Sequence, residues 1–231
     1  MCTQKFPWVP TPKFIPICPG CAQGKMKSRS FPESQSHATR LFELVHSDLK
    51  SLPVESYHRF KYFIVFIDDK SSHMWMSNLR KKSDASKAIK NFEAIAQIQH
   101  GATIKRWQIN QGGEFINSDL MDTLRGLGIV IEQSVPLQHQ QNGWAERAIR
   151  TIMEKAQCLH FTACLPQSWW EFCINHTVYL INQTPIACLS WLTPMESLIK
   201  VKPDLPELCV FGCGAYVFLP EEVRAYDIHQ I

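Results

Sequence analysis

A chain of 231 residues has room for one sizeable domain plus fragments. At 45% hydrophobic and 19% charged it suits a packed core and excludes wholesale disorder. A net charge of +3 permits nucleic-acid binding without requiring it, and no apolar run approaches the roughly 18 residues of a membrane span.

Residues 1 to about 40 are rich in Pro, Ser, Lys and Gln and read as a tail. Pro7, Pro10 and Pro12 interrupt the first residues, which is not the pattern of a secretory signal. The core begins near Leu41. Leu44 to Leu49 predicts a short strand carrying Asp48. Tyr62 to Ile67 is a continuous β-type apolar run, as expected of a strand buried on both faces. Asp68, Asp69, Lys70 and Ser71 read as turn residues rather than metal ligands, and His73 to Leu79 alternates as the third strand of a meander. His46 reads as a packed or hydrogen-bonded residue.

Ser83 is placed to cap a helix. Ala85, Ala88, Ile89, Phe92, Ile95 and Ala96 follow at spacings of three and four, which makes one apolar stripe. Ile104 to Ile109 is a weaker strand, ended by the turn Asn110 to Gly113. A short helix over Ser118 to Leu127 and a strand over Gly128 to Gln133 come next. From Asn142 a helix carries Ala145, Ala148, Ile149, Ile152, Ala156 and Leu159 on one side. A further apolar helix spans Gln167 to Asn182, with Trp169 and Trp170 as packing residues. Pro194 and Pro203 punctuate the remainder, and Phe211 to Leu219 reads as a strand. The nine cysteines, odd in number and scattered, read as reduced, intracellular and largely buried. The element order describes a mixed α/β layer architecture.

Three segments carry the chemistry: His46-Ser47-Asp48-Leu49, Asn110-Gln111-Gly112-Gly113-Glu114-Phe115 and Gln141-Asn142-Gly143-Trp144-Ala145-Glu146-Arg147. Further marks are Cys18-Pro19-Gly20-Cys21, Leu79-Arg80-Lys81-Lys82-Ser83, Thr193-Pro194-Met195-Glu196 and Leu208-Cys209-Val210-Phe211-Gly212-Cys213. Each is weak alone. Together, in order and correctly spaced, they make the chain resemble the integrase region of copia-type long-terminal-repeat retrotransposon polyproteins.

The resemblance implies a ribonuclease-H-like fold, a mixed five-stranded sheet flanked by helices, over residues 41–205. It makes residues 1–40 a tail with a remnant of a zinc-binding module, and 206–231 the incomplete start of an SH3-like barrel. It implies DNA 3′ processing and strand transfer, assisted by Mg²⁺ or Mn²⁺. Asp48, Asn110 and Glu146 occupy the three metal-ligand and catalytic positions. The family has aspartate where this chain has Asn110, an oxygen donor with no net charge, so weak metal binding and impaired catalysis are expected. Cys18 and Cys21 supply only half of a four-ligand zinc site, so zinc is not expected. Gln141, Arg147, Arg150, Lys105 and Arg106 are the candidate nucleic-acid contacts. The implied partners are DNA and further copies of the chain, with no membrane, and the implied location is intracellular, in the nucleus if the protein functions. A non-catalytic nucleic-acid-binding or interaction module and a non-functional element relic are the alternatives.

Overall fold

The computed structural model describes residues 38–109, 118–133, 143–206, 208–214 and 218, with the side chains of 118–120, 123 and 133 excepted. Five strands form one sheet: β1 (Leu44–Ser51), β2 (Tyr62–Asp68), β3 (Met74–Leu79), β4 (Arg106–Ile109) and β5 (Val130–Gln133). Their spatial order is β3-β2-β1-β4-β5. The first three make an antiparallel meander, and β4 and β5 extend it in parallel from β1. The helices are α1 (Ala85–His100), α2 (Ser118–Gly126), α3 (Gly143–Thr162), α4 (Trp170–Asn182) and α5 (Pro194–Ile199).

The two faces of the sheet follow from strand alternation. On one face Val45, Ile64, Phe66, Trp107 and Ile109 pack against Ala85, Ile89, Phe92 and Ala96 of α1 and Leu124 of α2. On the other, Phe63, Val65 and Ile67 pack against Ala145, Ala148, Ile149 and Ile152 of α3 and Cys173, Ile174, Val178 and Ile181 of α4. The strand β2 contributes to both layers, which is why its apolar run is unbroken. Each of its large side chains contributes about 1.5–3 kcal/mol on burial. The α1 stripe ends at Gly101, whose left-handed φ of 58° lets its N–H return to the carbonyls of Ala96 and Gln97.

Three expectations are corrected. Ser83 does not cap α1. It lies inside a 3-10 turn (Lys82–Asp84), where the Asp84 carboxylate accepts the Lys81 N–H at 2.9 Å. The strand expected from Phe211 is not formed over its described residues. Phe211 and Gly212 sit in a turn closed by Cys213 N–H to Val210 O, and Gly212 is pressed against Ala163 so closely that a Cβ would meet it at 2.4 Å. Of the described cysteines only Cys173 is buried, while Cys158, Cys164, Cys188, Cys209 and Cys213 are exposed; apolar neighbours in sequence did not place them in the core. The two tryptophans pack as expected: Trp169, partly exposed, rests on Tyr57 and Phe172, and Trp170 packs on the core and donates its indole N–H to Val54 O at 2.9 Å. Among the described residues no helix is long and apolar enough to cross a membrane.

Candidate active site

Asp48 is held in the middle of the central strand. Its direct cross-strand partner is Val65, and His46 and Lys50 are opposite Ile67 and Phe63. Opposite residues share a face, so His46, Asp48 and Lys50 all lie on the side covered by α3. Asp48 is half-buried, and one carboxylate oxygen accepts the Leu49 N–H at 2.9 Å. Beside it β4 runs parallel, with Ser47 opposite Ile109. The next residue along each strand is a candidate ligand: Asp48 on β1 and Asn110 after β4. Asn110 itself lies outside the described residues, as do Gln141, Cys18 and Cys21.

Glu146 comes from the first turn of α3. The helix is pinned on Val65 and its neighbours by Ala145, Ala148, Ile149 and Ile152, all buried. Glu146 flanks that stripe and is half-buried. The sheet register thus puts Asp48 on the face that α3 covers, and Glu146 stands on that helix beside its buried stripe. A carboxylate in the first helical turn is also favoured by the helix dipole.

The basic candidates divide. Arg147 and Arg150 are exposed on α3, the helix that carries Glu146. Lys105 and Arg106 sit at the opposite end of β4 from Ile109, roughly 10 Å of strand away. Arg106 pairs with Glu132 across the β4–β5 edge at 3.3 Å. Asp122, on α2, pairs with Arg125 at 3.6 Å on the exposed surface.

Several residues around this part of the sheet, on both of its faces, belong to no motif. His46, read as packed or hydrogen-bonded, is 6% exposed with Nε2 3.1 Å from Asp69 Oδ1. Asp69 also accepts the Ala38 N–H at 2.6 Å. Asp68 is fully buried and accepts from Phe42 N–H, Ser71 N–H and the Ser71 hydroxyl at 2.7, 2.8 and 2.6 Å. Burial pushes its carboxyl above the ordinary value, against those hydrogen bonds. The Trp107 indole donates to Ser47 Oγ at 2.9 Å, tying β4 to β1 next to Asp48.

Asp48 and Glu146 are oxygen donors, half-buried, with two negative charges between them. That suits one hard divalent ion, since Mg²⁺ takes one or two carboxylates and completes its shell with water or phosphate oxygens. Among the described residues no group of three or more His, Cys, Asp or Glu side chains is arranged for a metal.

No family model matches the chain. It is 33% identical over 208 residues to the retrovirus-related Pol polyprotein from transposon TNT 1-94 of Nicotiana tabacum, covering 90% of this chain and 16% of that one. It is 29% identical over 222 residues to the corresponding polyprotein from transposon RE1 of Arabidopsis thaliana, covering 96% and 15%. The chain thus spans only a small part of the length of these relatives. Among solved structures it is similar to a chain of the simian T-cell lymphotropic virus intasome in complex with PP2A regulatory subunit B56 gamma. That match has a TM-score of 0.63 and 14% identity, over 88% of this chain and 69% of that one. It is also similar to the HTLV-2 integrase catalytic core domain in complex with magnesium, in its trimeric form, with a TM-score of 0.51 and 16% identity, over 68% and 96%. At these identities the likeness is one of fold: the mixed five-stranded sheet with flanking helices is the ribonuclease-H-like layer.

Proposed function

We propose that this chain, which belongs to the integrase family of long-terminal-repeat retrotransposon Pol polyproteins, derives from a copia-type enzyme that joined DNA ends, and that its chemistry is impaired at Asn110. The observation that supports the reading is that Asp48 lies on the sheet face covered by α3, the helix that carries Glu146, and beside the parallel strand that leads into Asn110. Mg²⁺ or Mn²⁺, when bound, would activate a water or hydroxyl for in-line displacement at phosphorus. Asp48 and Glu146 would hold the ion, and the amide of Asn110 would add a donor without charge. Two carboxylates are matched to one divalent ion better than to two. The loss of a second ion's stabilisation, several kcal/mol, corresponds to about three orders of magnitude in rate.

The remaining residues serve orientation and binding. The β1–β4 ladder and the apolar stripe of α3 set where the two carboxylates stand. Arg147 and Arg150, exposed on the same helix, are suited to phosphate contact. Lys105 and Arg106 would contact a separate stretch of backbone, given their distance along β4. Gln141 precedes the helix and is proposed to touch the same substrate. DNA, and further copies of the chain, are the proposed partners.

A second reading is favoured by Asn110 alone: a module that binds nucleic acid without acting on it. Strand transfer by the wild-type chain and by Asn110→Asp, in Mg²⁺ and in Mn²⁺, separates the two when run beside DNA binding at rising salt. The proposal expects the variant to join DNA ends and the wild type to be about three orders of magnitude slower. Steep salt-dependent binding with no joining by either protein favours the binding module. Equal rates for the two would show that Asn110 impairs nothing.

A further inference from the structure

We infer that Asp69 and His46 form a positioning pair for the divalent-ion site, so that Asp69 sets metal affinity without touching the metal. This rests on the reading of Asp48 and Glu146 as the ion's ligands. His46 precedes Asp48 by two residues on β1, opposite Ile67 as Asp48 is opposite Val65. The two side chains are therefore neighbours on the face that α3 covers, about 6.5 Å apart along the strand.

The His46 ring is anchored from one side. Its Nε2 lies 3.1 Å from Asp69 Oδ1, and both side chains are only 8% exposed. A carboxylate can only accept, so Nε2 carries the hydrogen and donates it. In the neutral ring Nδ1 is then a lone-pair acceptor, and that atom is buried with no hydrogen-bond partner among the described residues. Asp69 is itself fixed at two further points. Its Oδ2 accepts the Ala38 N–H at 2.6 Å, and its own N–H donates to Leu44 O at 3.0 Å. Through its carboxylate and its N–H, Asp69 thus ties together the entry to β1, the start of β1 and the ring two residues from Asp48.

The adjacent acid shows that this is not a generic property of the turn. Asp68 is opposite Val45 and so faces the other layer. Its carboxylate accepts from Phe42 and Ser71 instead. Asp68 holds the turn, whereas Asp69 reaches across to the ring that borders the site. A ring released from Asp69 is free to rotate against Asp48, and a buried polar network that loses one member loses its unique arrangement. Partners bonded directly to a ligand are worth about 10–100-fold in metal affinity, and a ring neighbouring the ligand on its strand face acts at the lower end of that range.

The test is Mn²⁺ titration calorimetry on the full chain, with thermal denaturation alongside. Asp48→Asn should abolish binding. Asp69→Ala should weaken it about tenfold, with Asp69→Asn intermediate because its amide oxygen still accepts one of the two hydrogen bonds. His46→Phe should weaken binding similarly, and adding Asp69→Ala to His46→Phe should cost nothing more. Asp68→Asn should lower thermal stability yet leave the Mn²⁺ affinity alone, which a purely structural role for Asp69 would mirror. If Asp69→Ala does not fold, Asp69→Asn and His46→Phe carry the comparison. Binding lost in Asp48→Asn but unchanged in Asp69→Ala, or additive losses in the double variant, overturns the pair alone. No binding by the wild type, or full binding by Asp48→Asn, overturns the site and the pair together.

Discussion

Asn182 closes the outer edge of the sheet at Met74. Its Oδ1 accepts the Met74 N–H at 2.9 Å and its Nδ2 donates to the Met74 carbonyl at 2.8 Å. A single side chain at the end of α4 thereby does what a neighbouring strand would do for an exposed edge. Asn182→Ala leaves a donor and an acceptor without partners, and we expect a loss of about 1–3 kcal/mol in urea denaturation. A loss under about 0.3 kcal/mol would mean that water replaces the amide fully.

Ser47 and Trp107 tie the two strands that frame the site. Both are fully buried, and the hydroxyl accepts the indole N–H. Ser47→Ala strands that N–H in the core, at a cost of about 1–3 kcal/mol by chemical denaturation. Trp107→Phe in addition should soften the Ser47→Ala penalty, since the orphaned donor is gone; a penalty that stays the same contradicts the bond's role.

Asp68 should make stability fall as pH rises. Burial raises its carboxyl above the ordinary value of 3.8, so between that value and the folded one the native state binds more protons than the unfolded state. Stability from this group is complete below the unfolded pKa and lost as pH rises through the folded pKa. The stability difference between wild type and Asp68→Asn, measured by denaturation from pH 4 to pH 7, should therefore shrink with rising pH. A difference that grows would reverse the sign of the argument.

Thr193 and Glu196 form a capping box for α5. The Thr193 hydroxyl accepts the Glu196 N–H, and the Glu196 carboxylate accepts the Thr193 N–H, each at 3.0 Å. Thr193→Ala should cost about 1 kcal/mol. The Thr193 backbone N–H, and then its hydroxyl, hold the Glu196 carboxyl below its ordinary value. Its contribution is present above 4.5 and fades as pH falls, so Thr193→Ala, which removes the hydroxyl and keeps the N–H, should flatten the acid limb of a thermal-stability profile only in part.

Much of the layer was legible because it rests on local periodicity. The unbroken run of β2, the stripe Ala85 to Ala96 and the stripe Ala145 to Ala156 each predict their element and the face it buries. The capping box at Thr193 was not read, although Thr193 and Glu196 stand at its spacing ahead of an apolar turn. Contacts between distant segments were not legible. Asn182 meets Met74 across 108 residues and Trp107 meets Ser47 across 60, and neither partner marks the other locally. The strand expected from Phe211 is not formed over its described residues because Phe211 and Gly212 turn there, with Gly212 against Ala163. At the site, the motif contexts of Asp48 and Glu146 indicated the residues, while the reach of Asp69 to His46 depends on a turn geometry no motif encodes.

The most direct test of the metal account is a crystal structure of the protein soaked in Mn²⁺, read by anomalous scattering. The account predicts one ion in contact with both Asp48 and Glu146. Two ions, with Asn110 as a shared ligand, would contradict the view that the amide disables the site, and an ion bound away from both carboxylates would contradict the site itself.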